Sequence, residues 1–296
     1  MQRVLLFLGT NIAVLAVISV LMKVFGLDNY MDANGINYKS LAIISFAWGS
    51  IGAFISLAMS KSAAKRAMKV KVIDSPTTDD EIWLVETVAR QAERAGIGMP
   101  EVGIFNSEAP NAFATGMNKN SALVAVSTGL LHNMRRNEVE AVLGHEVSHI
   151  ANGDMVTMTL LQGILNAFVM FISRIIGFVM SSSSRGNRGG AGMRAGNFIG
   201  TMIAQVVLGF LAALIVKWFS RYREFHADIG GGRLTSNQDM IAALRALQHA
   251  SNPQSLKGPL VGFGINGVKS TVAKLFSTHP PLEDRIAALE RNDYVR

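Results

Sequence analysis

His145-Glu146-Val147-Ser148-His149 is an H-E-x-x-H pentapeptide, and the residues around it read as one helix. Asn137 is the expected N-cap, with Glu140 three positions on, an Asn form of the capping box. Val139, Val142, Leu143, Val147 and Ile150 form an apolar stripe at helical spacing. Asn152-Gly153 supplies a stop, because glycine takes the left-handed C′ conformation without a Cβ penalty. Asp154 then reads as the N-cap of a second helix. Residues four apart share a helical face, so both imidazoles point at one ion, and Glu146 reaches a water held there. Two His ligands plus a carboxylate base is the arrangement of a zinc hydrolase. The plain alternative is a solvated helix with two unrelated His. With six His in 296 residues, composition alone produces the full pentapeptide with odds of about one per cent.

A catalytic zinc needs a third protein ligand and an open fourth position. The chain has no Cys, so thiolate ligands and disulfides are excluded and the third ligand is a His, Asp or Glu. The best stretch is Ser220-Arg221-Tyr222-Arg223-Glu224-Phe225-His226-Ala227-Asp228. Glu224 and Asp228 share a helical face. One would bind zinc while the other accepts a hydrogen bond from a ligand imidazole and fixes its tautomer. The competing reading is a charged helix start with ordinary ion pairs to Arg221 and Arg223. Spacing alone does not choose between Glu224 and His226.

Three stretches carry a family resemblance: His145 through Met155, Ser220-Arg221-x-Arg223-Glu224-Phe225-x-Ala227-Asp228, and Ser277-Thr278-His279-Pro280-Pro281-Leu282-Glu283-x-Arg285-Ile286. Together they resemble the signatures of the HtpX family, bacterial inner-membrane zinc metalloproteases related to the CAAX prenyl protease family. The resemblance covers essentially the whole chain. It implies one Zn2+ per subunit, with His145, His149 and Glu224 as ligands and Glu146 as the catalytic glutamate. Asp228, with Asn152, is implied to support the ligands from behind. The implied fold is a zincin-like (gluzincin) α+β catalytic domain with a small β-sheet, inside a mainly α integral membrane protein with four hydrophobic helices. The implied role is quality control of misfolded or damaged membrane proteins under stress, beside other membrane quality-control proteases.

Composition agrees with a membrane enzyme. Hydrophobic residues make up 49% of the chain and charged residues 17%, with a mean hydropathy of +0.29; an ordinary soluble domain is less apolar. Val4–Phe25 and Leu41–Met59 are each near the twenty residues needed to span the hydrocarbon core. The first is too long for a signal peptide, and no small-residue cleavage site follows it. The connection between them carries Asp28 and Asp32 and no basic residue, whereas Lys61, Lys65, Arg66, Lys69 and Lys71 follow the second. The positive-inside rule therefore places the N-terminus and the chain beyond residue 60 in the cytoplasm. The net charge of +7 reads as membrane topology. There is no nucleic-acid motif.

The chain divides on this reading into an N-terminal transmembrane hairpin (1–72, spans about 4–25 and 41–59), a cytoplasmic catalytic part (73–154), a hydrophobic hairpin (155–219) and a C-terminal catalytic part (220–296). After a turn-like 74–78, Asp79, Asp80 and Glu81 suit a helix start and Gly96 its end. Val102–Phe105 reads as a strand, and Asn111–Gly116 and Ala122–Ser127 as strands around a turn at 118–120. Asn111-Ala112-Phe113-Ala114-Thr115-Gly116 resembles the family's edge strand, which holds an extended substrate by backbone hydrogen bonds; a plain core hairpin is the alternative.

The hydrophobic hairpin joins Met155–Met180 to Phe198–Phe219 through a Gly/Ser-rich connection beginning at Ser181. Both metal segments must meet at one ion, so a pair that spans and returns is the adopted reading. Arg185, Arg188 and Arg194 in the connection run against the positive-inside rule, and helices entering the bilayer part-way are the alternative. Arg174, inside the first stretch, is costly if it faces lipid. His279 or Arg285 is a candidate donor to the tetrahedral oxyanion, against a structural role anchoring a last helix over 282–291. Gly262-Phe263-Gly264-Ile265-Asn266-Gly267 matches G-x-G-x-x-G formally, but Pro259 precedes it and no helix opening follows, so no nucleotide is expected. The 15 Met are spread through apolar segments and read as packing. The functional reading is a membrane-bound zinc endopeptidase. The alternatives are a non-proteolytic membrane scaffold with a vestigial motif and, more narrowly, a protease for prenylated peptides.

The absence of native Cys makes topology directly testable. Single cysteines placed between residues 181 and 197 are expected to react with an impermeant thiol reagent added from the periplasmic side. Labelling only from the cytoplasm would replace the spanning pair with helices that enter part-way.

Overall fold

The structure, a computed structural model, describes residues 23, 37–183, 190–250 and 279–291, with side chains described outside 181–196. In chain order the described elements are α1 (Tyr38–Ala67), β1 (Lys71–Val72), α2 (Asp79–Ala95), β2 (Glu101–Phe105), β3 (Ala112–Asn118), β4 (Ser121–Ser127) and α3 (Thr128–Asn133). There follow α4 (Arg136–Asn152), α5 (Asp154–Ser183), α6 (Gly190–Leu234), α7 (Asn237–Ala250) and α8 (Leu282–Arg291). The expected span over 4–25, apart from Lys23, and the glycine-rich 262–267 lie outside the described residues.

The chain divides into two compact units, Met1–Ser56 with Thr159–Val216, and Leu57–Met158 with Lys217–Arg296. In the first, Tyr38, Ala42 and Phe46 of α1 pack on Ala167, Phe171 and Ile175 of α5. Phe46 meets Phe168 edge to face, ring centroids 5.7 Å apart. Ile43, Ile44, Trp48, Ile51 and Ile55 of α1, and Phe198, Met202, Val206 and Phe210 of α6, are exposed. Such apolar surface is unfavourable in water and suits lipid tails. Three described helices, α1, α5 and α6, are long and apolar enough to cross a membrane. Arg174 is exposed on α5.

The second unit holds a four-stranded sheet in the order β1-β2-β4-β3. β4 sits between β2 (parallel, Val102↔Val124) and β3 (antiparallel, Ala114↔Val124). Its residues 122–127 are all buried, which explains a continuous apolar run where a half-exposed strand would alternate. Among the described residues β3 pairs on one side only, which leaves its other edge without a strand partner there. Val124 and Val126 join Leu84 and Val88 of α2, Val139, Leu143 and Val147 of α4, Met240 and Leu244 of α7, and Ile286 and Leu289 of α8 in one core.

Local signals account for several helix ends. Thr78 caps α2 in a capping box with Glu81, and Gly96 closes it at φ 63°. Gly153 closes α4 at φ 65°, where its N–H is donated back to the His149 and Ile150 carbonyls. One expectation changes. The cap of α4 is Arg135, two residues before the expected Asn137: the Glu138 carboxylate accepts from the Arg135 N–H (2.8 Å), while Asn137 donates to Asp239 (2.7 Å). α6 does not break near residue 220 but runs unbroken for 45 residues. No Gly or Pro lies between 210 and 229, and a drop in hydropathy alone does not end a helix.

Where α1 ends, Lys61 and Lys65 both pair with Glu101 on β2. Burial pushes the Glu101 carboxyl up, but the two ammonium groups outweigh it and hold it below its ordinary 4.5. A depressed folded-state value stabilises the fold above about pH 4.5, and that contribution disappears as pH falls through the folded value. Glu101→Gln is therefore expected to lower the melting temperature of the detergent-solubilised protein at pH 7, and the difference should shrink as the pH falls below about 4.5. Equal melting temperatures at pH 7 would show that the pair contributes nothing.

Candidate metal centre

The apolar stripe of α4 buries Val142, Leu143 and Val147 in the core and turns His145, Glu146 and His149 to one flank. α6 passes that flank. Gly231 makes the close approach possible: a Cβ there would lie 3.0 Å from the His145 backbone nitrogen, and one on Gly144 would lie 3.3 Å from Gly231 Cα. Two turns before Gly231, α6 presents Glu224 to the imidazoles.

His145 Nε2 and His149 Nε2 are 3.1 Å apart. Glu224 Oε2 is 3.6 Å from the first and Oε1 3.4 Å from the second. A tetrahedral ion with bonds of ~2.0–2.1 Å has ligands ~3.3 Å apart, so the three donors already have the spacing a zinc ion requires. Both Nδ1 atoms face carboxylates, His145 to Asp228 Oδ1 (2.9 Å) and His149 to Asp154 Oδ2 (2.7 Å). A carboxylate only accepts, so each Nδ1 carries the hydrogen and each Nε2 turns a lone pair inward. The buried Glu224 Oε2 makes no hydrogen bond of good geometry. With both rings neutral, two Nε2 lone pairs and a carboxylate oxygen converge on one point, a donor set that fits a metal cation.

The same crowding acts on protons. Burial opposes a charge on His145, but its hydrogen bonds to Asp228 and Glu224 outweigh it and raise its pKa. His149 follows the same pattern through Asp154 and Glu224 and is pushed up to about 10. Arg285 is 6% exposed and donates through Nε and Nη2 to Asp228, with Nη1 3.2 Å from Glu224 Oε2.

The structure brings His145, His149, Glu224, Asp228, Arg285 and His279 together. His279 Nδ1 lies 2.8 Å from Glu224 Oε2, and its side chain is 64% exposed. Glu146 is half-buried next to the pair. His226 is not in the cluster: its Nδ1 faces the Tyr222 carbonyl of its own helix (3.0 Å). Asn152, half-buried at the end of α4, makes no hydrogen bond to a ligand among the described residues. Its place beside His149 is taken by Asp154, which sequence reasoning treated only as a helix cap. The Asn-Gly-Asp stop was the available signal, since a reversal after His149 returns the following residue to its ring. Asn111 precedes β3, exchanging hydrogen bonds with Ser127, while residues 112–116 lie within it. A cavity of about 540 Å³ lined by Asn152, Phe225, His226, Asp228 and Arg285 adjoins the cluster. A larger one, about 930 Å³, is lined by Glu108, Arg135, Arg245 and His249 and contains none of the ligand candidates.

The sequence model of peptidase family M48 matches residues 79–293. The chain belongs to peptidase family M48. It is 52% identical over 292 residues to a protease HtpX homolog of Nitrosomonas europaea, covering 98% of this chain and 99% of that one. It is 50% identical over 293 residues to protease HtpX of Thioalkalivibrio sulfidiphilus, with coverage of 98% and 99%. The crystal structure of S. mikatae Ste24p superposes with a TM-score of 0.60 at 18% identity, over 92% of this chain and 66% of that longer one. That likeness concerns the fold, a mostly helical zincin-type arrangement with a small mixed sheet. As an M48 member of the HtpX kind, the chain is a metalloendopeptidase and a membrane protein, not a non-proteolytic scaffold. The family implies a metal, and the donor set described above fits one.

Metal must displace the protons that the metal-free cluster retains. Both imidazole values are raised, and His149 loses its proton only toward about pH 10. Apparent zinc affinity, measured by chelator competition between pH 6 and 9, is expected to rise about tenfold per pH unit for each proton released. A flat profile would show that the imidazoles are already neutral.

Proposed function

We propose that this M48 protein is a zinc-dependent endopeptidase of the bacterial inner membrane that cleaves misfolded or damaged membrane proteins at a site facing the cytoplasm. The observation that carries the reading is the convergence of His145 Nε2, His149 Nε2 and Glu224 at tetrahedral spacing, with Glu146 beside them. The basic run from Lys61 to Lys71 supports the cytoplasmic side. The exposed apolar faces of α1 and α6 support a membrane setting.

His145, His149 and Glu224 hold the metal, one Zn2+ per subunit. When bound, that ion polarises the scissile carbonyl and lowers the pKa of the attacking water. Glu146 removes the water's proton and delivers it to the leaving amine. Asp228, oriented by Arg285, fixes the His145 tautomer. Arg285 is buried, with Nε and Nη2 on Asp228 and Nη1 beside Glu224, so the donor to the developing oxyanion is His279, which borders the ligands and stays open to solvent. The edge of β3 without a strand partner among the described residues supports strand addition by an extended substrate along residues 111–116. An extended substrate must be locally unfolded, and this favours damaged proteins over intact ones.

Glu146→Gln is expected to keep stoichiometric zinc while cleavage of an unfolded membrane protein falls by at least about 100-fold. Glu224→Ala is expected to lose the zinc as well. Wild type should cut the unfolded form of a membrane protein faster than its folded form. Equal rates would remove the quality-control reading, and undiminished cleavage by Glu146→Gln would remove Glu146 as the base.

A further inference from the structure

The two imidazoles have the same kind of support from different parts of the chain. Asp228, four residues after Glu224 on α6, serves His145. Asp154, the first residue of α5, serves His149. On one continuous helix a residue five positions on points ~140° away. Asp154 faces the His149 ring because Gly153 reverses the chain at φ 65°. It is 4% exposed. Its second oxygen, Oδ1, accepts from Arg223 Nε (2.6 Å) and also meets Nη2. Arg223 directly precedes Glu224.

We infer that Asp154 and Arg223 form a positioning pair that aims His149 at the metal and ties the helix bearing His145 and His149 to the helix bearing Glu224. The inference rests on the reading of His145, His149 and Glu224 as the metal ligands. Asp154 fixes the hydrogen on His149 Nδ1, so that Nε2 presents its lone pair. Arg223 brings Nε and Nη2 together onto the one oxygen Oδ1 of Asp154, a two-nitrogen contact that a flexible ammonium does not reproduce. One carboxylate thus couples the second ligand to the residue beside the third. The other imidazole also has a carboxylate held by a guanidinium, with Arg285 donating to both oxygens of Asp228 through Nε (2.7 Å) and Nη2 (2.5 Å).

The test uses the full-length protein in detergent, with Glu146→Gln in every sample to prevent self-cleavage. Zinc affinity is read by chelator competition and ligand geometry by the visible absorption of the cobalt-loaded protein. Asp154→Asn is expected to weaken zinc binding about 10- to 100-fold and to change the cobalt spectrum. Arg223→Gln should lose less, Arg223→Lys should recover only part of that loss, and Asp154→Asn with Arg223→Gln should be no worse than Asp154→Asn alone. His149→Ala separates the two levels. If it binds zinc like its parent, the metal-site reading itself fails. If it loses zinc while Asp154→Asn keeps parental affinity and spectrum, only the positioning pair is overturned. A drop in thermal stability alone, with affinity and spectrum unchanged, also overturns it. Should Asp154→Asn not fold, parental cobalt spectra in both Arg223 variants decide against the pair.

Discussion

Between α4 and α6, Gly144 and Gly231 face each other, and the approach they permit sets the distances at the metal cluster. The two imidazoles come from one helix and Glu224 lies 75 positions after His149, so their convergence depends on how near the two backbones lie. A methyl group at Gly231 would press on the His145 backbone nitrogen, and one at Gly230 would meet Ser148 Oγ at 2.4 Å. Helix axes with ordinary side chains between them stay 8–10 Å apart. Zinc tolerates little variation in bond length. The glycines cost α6 helix propensity, about 1 kcal/mol each relative to Ala, in exchange for that contact.

Close approach creates an electrostatic demand. Glu146, Glu224, Asp154 and Asp228 bring four carboxylates to the cluster, while Arg223 and Arg285 bring two guanidiniums. With neutral imidazoles two negative charges remain, which one divalent cation balances. Unpaired buried charges are strongly destabilising, so the raised imidazole values in the metal-free protein have a simple cause: protons take the place of the missing charge. Metal binding and imidazole titration are two responses to one excess of buried carboxylate.

What the sequence made legible was what depends on neighbours in the chain. The pentapeptide helix, its glycine stop at Gly153, the capped helix from Asp79 to Ala95 and the strand pair around 118–120 all follow from local spacing and turn chemistry. The cap at Arg135 did not, because Asn137 spends its side chain on Asp239, 102 residues away. The continuity of α6 was obscured by a change in composition, although nothing in 210–229 breaks a helix. Glu224 could not be separated from His226 by spacing, because only the packing of α6 on α4 decides which of them meets the imidazoles. The edge position of β3 depends on strand order, which no single stretch encodes.

Asp154 shows why such residues are hard to read. As the first residue of a long apolar helix it has a sufficient local explanation, since the positive end of the helix dipole favours an acid there. The same position, turned back by Gly153, brings its carboxylate onto His149 and Arg223. The helix N-terminus and the guanidinium both stabilise the charge that His149 Nδ1–H requires in its acceptor. The residue that starts the apolar helix therefore also holds an imidazole of the proposed metal site. Any displacement of the first turn of α5 relative to α4 would change the direction of His149 Nε2, and with it the geometry of the metal cluster.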